Sequence, residues 1–334
     1  MIISRTPFRI SFFGGGTDYP EWCNENSGAV LATTINKYCY ITCRYLPPFF
    51  KHKSRIIYSR IEEVRRVSEI RHPAVRACLK YMKITKGVEI HHDSDLPARA
   101  GLGSSSSFAV GLLHALYALK GKMPTKRRLA LDACHIEQVA LKENVGCQDQ
   151  VLAAFGGFNL IEFGGQNPIL VHPVTISPER LVLLQDHMML FFTGFSRIAS
   201  EIAAEQIKNI PYRKKELRAI RRMVDEALYI LNSGANLTEF GRLLHDHWRI
   251  KKCLSAGVST PAIDEIYSTA MRAGASGGKL LGAGGGGFMI IFAKPDAHDR
   301  IREKLKKLLF IHFRFENLGS QVIFYSPYDH VSHV

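Results

Sequence analysis

Residues 95–107, DLPARAGLGSSSS, are the stretch on which the fold turns. Just upstream, Val88 and Ile90 alternate with polar neighbours as a strand end does, and Pro97 stops that strand. Gly101 and Gly103 let the backbone come close to a ligand. Ser104, Ser105, Ser106 and Ser107 then open an apolar segment, 108–119, whose spacing predicts a helix with Val110, Leu113, Leu116 and Tyr117 on one face. Serine is a favoured N-cap, and a helix N-terminus offers amide N–H groups and a positive dipole to an anion. A Gly-x-Gly turn that delivers serines to such a terminus suits a polyphosphate, with a hydroxyl left over for Mg²⁺. The plain alternative is a flexible Gly/Ser linker, but a linker would not run at once into an amphipathic helix.

A chain of 334 residues is long enough for two domains of ordinary size. Its 46% hydrophobic and 22% charged residues are those of a globular protein. No apolar run reaches the roughly 18 residues of a membrane span. The start, MIISRTPFRISFFGGG, alternates and carries charge where a signal peptide has an apolar core, so a folded strand is expected there. Seven scattered cysteines without a CxxC pair point to reduced thiols in a cytoplasmic protein, and away from a disulfide framework or a zinc site. The net charge of +14 admits nucleic acid, anionic small molecules or a merely basic surface. Basic residues gather at 51–55, 126–128, 213–222 and 302–307, and the last two groups fall on amphipathic helices, where such runs are solvated faces. No basic stripe interleaved with aromatics is present, so neither nucleic acid nor a membrane is the expected partner.

The remaining pattern is α+β. Strands are expected at 2–4, 8–13, 29–44, 55–58 and 187–192, and helices at 74–84 and 126–141. A short apolar segment, 151–155, follows the turn at 144–146. Residues 196–273 read as mostly helical, 279–293 as strand, glycine turn and strand, and 297–309 as a closing helix, with a domain boundary near 170–190. The run 282–287 matches G-x-G-x-x-G, yet Phe288-Met-Ile-Ile-Phe after it is β-type, so a dinucleotide fold is rejected. Such a hairpin suits close backbone approach, to a ligand or to another loop.

Phosphoryl transfer needs a cation on the phosphate oxygens, a carboxylate to hold it and a group that positions the nucleophile. Glu137, in His-Ile-Glu-Gln, and Asp149, in Cys-Gln-Asp-Gln, are candidates, although on spacing alone each reads as a solvated or capping carboxylate. Three segments in order, 5–19 (RTPFRISFFGGGTDY), 97–107 (PARAGLGSSSS) and 279–287 (KLLGAGGGG), resemble the signature segments of the GHMP kinases, across essentially the whole chain. Longer phrases, PFRISFFGGGTDYPEW, HIEQ…KENVGCQDQ and IKKCLSAGV among them, are similar to the D-glycero-D-manno-heptose 7-phosphate kinases. The resemblance implies a two-domain α+β GHMP kinase fold. A ribosomal-S5-like N-terminal domain (1–180) would bind ATP and sugar, and a ferredoxin-like C-terminal domain (181–334) would close the site.

It also implies ATP, Mg²⁺ and phosphorylation of the anomeric hydroxyl of a small-molecule sugar phosphate, for nucleotide-activated heptose; a homodimer is compatible with it. Residue by residue, Gly101, Leu102, Gly103, Ser104, Ser105, Ser106 and Ser107 would cradle the triphosphate, and Ser105 and Glu137 would hold Mg²⁺. Asp149 would be the general base or orienting group, with Arg9 against it and the transferring phosphate. Asp18, Gly15, Gly16, Gly284 and Gly285 would face the substrate. Many sugar kinases carry charged residues where this chain has Gly15 and Gly16, which opens room. The distal phosphate would need at least two of Lys37, Arg44, Arg99, Arg197, Arg249, Lys251 and Lys252 facing Asp149. His245-Asp246-His247 is expected to be an exposed helical turn, not a metal cluster. A free-sugar kinase of the fucose or galactose type, a non-catalytic nucleotide-binding protein and a basic nucleic-acid binder are the competing readings.

Overall fold

The computed structural model describes residues 1–47, 49–98, 100–164, 169–194 and 199–326. In chain order the strands are β1 (Ile2–Phe13), β2 (Gly28–Tyr45), β3 (Ser54–Ile57), β4 (Ile61–Val64), β5 (Val88–Ser94), β6 (Phe158–Phe163), β7 (Ile169–Pro173), β8 (Met188–Gly194), β9 (Ala275–Leu280), β10 (Gly287–Ala293), β11 (Leu309–Ile311), β12 (Phe315–Glu316) and β13 (Gln321–Tyr325). The helices are α1 (Pro20–Cys23), α2 (Pro73–Tyr81), α3 (Ser104–Leu119), α4 (Lys126–Cys134), α5 (Gln148–Phe155), α6 (Pro178–Asp186), α7 (Ala199–Asn209), α8 (Lys214–Asn232), α9 (Thr238–Lys252), α10 (Pro261–Arg272) and α11 (His298–Lys304).

The first sheet is built on β2, rich in the β-branched and aromatic residues that suit a pleated surface. Its whole length pairs with β1, its first half with β6 and its second half with β5. The two signals expected at 2–4 and 8–13 are one strand. Strand order is β13-β1-β2-β5-β3-β4, with β6 and β12 also on β2, and all pairs except β3/β5 are antiparallel. The second sheet, β11-β8-β10-β9, is antiparallel and packs α9 and α10 on β9.

The C-terminal expectation needs correction. The helix over 297–309 stops at Lys304, and Leu309 opens β11. Beyond it Phe313, Phe315 and polar neighbours alternate with period two, and β12 and β13 return to the first sheet beside β2 and β1. The apolar segment at 151–155 is helical, as the second half of α5.

Helix α3 is not amphipathic. From Ser106 to Leu113 every residue is buried, because β1 and β2 lie on one side and α2, α4 and α5 on the others. Helix α8 does show the expected stripe, with Leu217, Ile220, Val224, Ala227 and Leu231 inward. Helix α9 serves both cores: Phe240 meets Phe12 and Phe13 edge-on at 5.8 and 5.1 Å, while Trp248 joins the second cluster.

The two halves meet backbone to backbone. Ala100 O accepts from the Phe288 N–H at 3.1 Å, and the glycine run 282–287 is docked on this loop. Gly282, at φ +72°, has no space for a Cβ, which would stand 2.6 Å from Gly101 Cα. Gly121, at φ +65°, has nothing within 4 Å. Gly282→Ala therefore combines strain with a backbone clash, and should lose about 2 kcal/mol or more, against about 1 for Gly121→Ala. Thermal melts of the two variants compare them; equal losses would mean that the loop contact is slack.

Candidate active site

At the head of α3 the N-cap is Gly103, not a serine. The chain must turn there through φ 76°, a left-handed conformation that serine disfavours, so the serines fall into the first helical turn. The serines thus stand in the turn whose amides find no acceptor within the helix. Gly103 is also wedged: a Cβ would lie 3.3 Å from both Arg9 Cγ and Asp149 Oδ2.

Arg9, near the buried end of β1, donates from Nε to Asp149 Oδ1 and from Nη2 to Oδ2, both at 2.6 Å. Its Nη1 donates to Gly101 O at 2.7 Å, and its backbone N–H to Leu102 O. The pair is largely buried, with side-chain exposures of 7% and 23%. Asp149 lies in the first turn of α5, where successive residues point about 100° apart. That spacing makes one turn serve three segments. Gln148 donates to Asp18, Asp149 faces Arg9, and Gln150 donates to Glu137.

Glu137 is fully buried, so the solvated reading of its spacing fails. It sits where the helix after α4 widens, as the Leu141 N–H to Ile136 O bond shows. Wide turns of this kind are frequent at functional sites. Ser105 Oγ donates to its Oε1 at 2.6 Å, and Ser106 Oγ to Oε2 at 2.7 Å. Burial lifts its pKa from 4.5 to about 7 despite these hydrogen bonds. A carboxylate beside an exposed serine hydroxyl is a hard-oxygen pair of the kind Mg²⁺ takes, and a cation would offset the burial, so the donor set fits that metal.

Asp18 is buried, bonded by the Gly16 and Gln148 N–H groups, with a pKa raised by burial and then by the charge of Asp149. Beside it Gly15 has room: its Cβ would meet nothing closer than Ser11 Oγ at 3.6 Å. Gly284 and Gly285 lie against Val258, whose O accepts from the Gly285 N–H at 3.1 Å.

Several basic residues are placed otherwise than expected. Arg44 pairs with Glu89, and Lys252 with Asp264. Lys251 donates from Nζ to Leu280 O at 3.0 Å and Gly282 O at 2.6 Å, holding the glycine loop rather than a distal phosphate. Burial, and then the nearby Arg9, push its pKa down to about 7. Arg249 is exposed, Lys37 is half-buried on β2, and Arg99 and Arg197 lie outside the described residues. The turn at 245–247 is exposed at Asp246 but not at its histidines, His245 being half-buried and His247 buried. His247 is buried edge-on to Phe13, because α9 runs between the two sheets, while His245 Nδ1 meets the Tyr267 hydroxyl at 2.7 Å. Among the described residues no group of three or more His, Cys, Asp or Glu could hold a metal. Gln148, Gln150 and the buried Lys279, which donates to Phe12 O, are site residues that sequence reasoning missed, and Lys251 was expected there in another role. Their only signal was proximity to the Asp149, 249–258 and glycine-run phrases.

Residues 68–157 match the model of the GHMP kinases N terminal domain, and 226–310 that of the GHMP kinases C terminal domain. The chain is 30% identical to a D-glycero-alpha-D-manno-heptose 7-phosphate kinase of Campylobacter jejuni, over 92% of this chain and 93% of that one. The chain belongs to the GHMP kinases. It is also similar to an L-fucokinase/L-fucose-1-P guanylyltransferase of Bacteroides fragilis, at 29% identity over 96% of this chain and 38% of that protein. The solved D-glycero-D-manno-heptose 1-phosphate kinase of Bacteroides thetaiotaomicron has the same fold, with a TM-score of 0.77, 24% identity, and 96% and 98% of the two chains covered. This GHMP kinase is thus a phosphotransferase of two-domain α+β fold, as the motifs implied. No helix among its described residues is long and apolar enough to cross a membrane.

The raised pKa of Glu137 has a sign. Below pH 4.5 it is protonated in folded and unfolded chains alike, and its burial costs nothing. As pH climbs toward 7 the unfolded chain ionises first, folded stability falls, and the full cost of about 3 kcal/mol is reached above pH 7. Thermal melts of ligand-free protein at pH 5 and pH 8 should show wild type losing stability relative to Glu137→Gln. Parallel curves would show that the carboxylate is already ionised at pH 5.

Proposed function

We propose that this GHMP kinase transfers the γ-phosphoryl group of ATP to the anomeric hydroxyl of D-glycero-D-manno-heptose 7-phosphate. The product would be heptose 1,7-bisphosphate, for nucleotide-activated heptose in surface-polysaccharide synthesis. The observation that carries the chemistry is the bidentate Arg9–Asp149 pair beside Gly103 at the head of α3. The choice of acceptor rests on the name of the Campylobacter jejuni relative, which spans nearly the whole chain.

In this reading the loop from Gly101 to Ser107 holds the triphosphate with backbone amides. The anomeric oxygen bonds to the γ-phosphorus as the bond to the bridging oxygen breaks, and its proton passes to the Asp149 carboxylate. Arg9 holds that carboxylate in place and faces the charge on the transferring group. Ser105 and Glu137 would hold Mg²⁺, which when bound neutralises phosphate oxygens. Asp18, in the space that Gly15 leaves, would take sugar hydroxyls, and the glycine run at 284–285 would close the site. The chain divides into units 1–180 and 181–334, with β12 and β13 handed back to the first. Seven free thiols support a cytoplasmic enzyme.

A free-sugar 1-kinase is the second reading, favoured by the Bacteroides fragilis relative. A panel of heptose 7-phosphate, mannose 6-phosphate, mannose, fucose and galactose with ATP and Mg²⁺ decides between them. Heptose 7-phosphate should show the highest kcat/KM, and faster turnover of fucose or galactose would overturn the acceptor assignment.

With Asp149 as base, Asp149→Asn should cut kcat by about 10²–10⁴-fold while ATP affinity stays near that of wild type. Single-turnover kinetics and nucleotide titration measure the two quantities, and near-normal turnover would sink the role.

In Glu137→Gln, the Mg²⁺ concentration for half-maximal rate should rise more than the KM for sugar. The opposite ordering would make Glu137 a sugar contact.

A further inference from the structure

Helix α8 contributes a basic stripe that the catalytic reading does not use. Lys215, Arg218 and Arg222 recur at i, i+3 and i+7 on one face, with Arg221 at its flank. Together with Trp22, Asn26 and Ser27 they line a cavity of about 450 Å³. That volume is in the range of small-molecule sites.

A run of charges on a helix is ordinarily a solvated face balanced by neighbours, and part of α8 is of that kind. Arg221 Nη1 bonds Asp225 at 2.8 Å, and Arg213 meets Glu216 at 3.2 Å. The stripe itself is different. Among the described residues Lys215, Arg218 and Arg222 meet no carboxylate, although Arg218 and Arg222 stand one turn apart, where like charges repel. Two buried donors in the cavity wall, Trp22 Nε1 and Arg221 Nε, also lack an acceptor. Lys215, Arg218 and Arg222 thus line one hollow whose wall holds no carboxylate, and two further lining residues, Trp22 and Arg221, each keep one unpaired N–H, although the rest of the Arg221 guanidinium is held by Asp225 and Glu162.

The hollow adjoins the catalytic half. Trp22 packs with Leu217 and Leu254, and these two leucines approach the Cβ position of Gly16 to 3.6 and 3.9 Å. Asn26 and Ser27 lead into β2 next to Gly28, whose Cβ position abuts Thr17 O.

We propose that the cavity between α1 and α8 is a binding site for a phosphate monoester. Guanidinium groups grip phosphate oxygens two at a time, an ammonium and the amide and hydroxyl of Asn26 and Ser27 complete the set, and no lining group would favour a cation. The phosphate has two sources: the far end of the acceptor, or a separate phosphorylated metabolite that acts on the Gly16 loop through Leu217.

The test uses the full chain and the exposed double variant Arg218→Ala/Arg222→Ala. Inorganic phosphate and mannose 6-phosphate are titrated by calorimetry at constant ionic strength, with chloride as the control anion. Wild type should bind both phosphates saturably, and the variant about tenfold or more weakly with an unchanged melting temperature. A raised KM for heptose 7-phosphate at constant kcat assigns the site to the acceptor. Lost phosphate binding with an unchanged KM assigns it to a separate metabolite. Non-saturable binding matched by chloride, or equal affinities in the two proteins, would overturn the site. The titration stands even if no sugar phosphate is turned over, which would count only against the proposed acceptor.

Discussion

The Arg9 side chain joins three separate segments through one planar group. Its fork closes on both oxygens of Asp149, its remaining nitrogen reaches Gly101 O, and its own N–H bonds Leu102 O. A guanidinium holds such bonds in a fixed plane, so β1, the glycine loop and the first turn of α5 share one geometry. The pair is largely buried, and removing either partner would strand the other charge away from water. Gly103 belongs to the same constraint, since its missing side chain is what lets the loop pass between the two.

Around this joint the charges are sorted by burial. Arg9, Lys251 and Lys279 lie on the side of the glycine run, and Lys279 is held well below the ordinary lysine pKa by burial and by its two cationic neighbours. Glu137 and Asp18 lie on the side of α4 and α5, with pKa values raised by burial. Burial thus disfavours the charged form of Lys251, Lys279, Glu137 and Asp18 alike. Each of these four groups is buried, and each meets hydrogen-bond partners from the chain, as a polar group away from water requires.

The glycine loop was legible because its requirements are local: two positive φ values and a helix start directly after them. Which residue caps that helix was not legible, since serine satisfies the cap by composition and glycine by backbone angle. Glu137 shows the limit more sharply. Its helical spacing matches that of a solvated carboxylate, and only the approach of Ser105, Ser106 and Gln150 from two other segments makes it a buried acceptor. His247 was misread for the same reason, because only its packing on Phe13, far away in the chain, shows that it lies on the inner face of α9 while Asp246 beside it is exposed. The strands after Lys304 were missed because they are short and stabilised by partners far away in the chain, β8 for β11 and β2 and β1 for β12 and β13.

The sequence by itself determined the glycine–serine loop before α3, the order of the three motifs and so the family, the rejection of a dinucleotide fold, and the amphipathic character of α8. Each motif, and the pattern of α8, depends on neighbours within a turn or two of chain, and the family adds only the order in which the motifs follow one another. Only the tertiary structure decided that Gln148, Asp149 and Gln150 serve three different segments, that Lys251 clamps the glycine run, and that the basic face of α8 closes a cavity with Trp22. Burial and hydrogen-bond partnership are properties of what packs against a residue, and those neighbours come from chain far away in sequence.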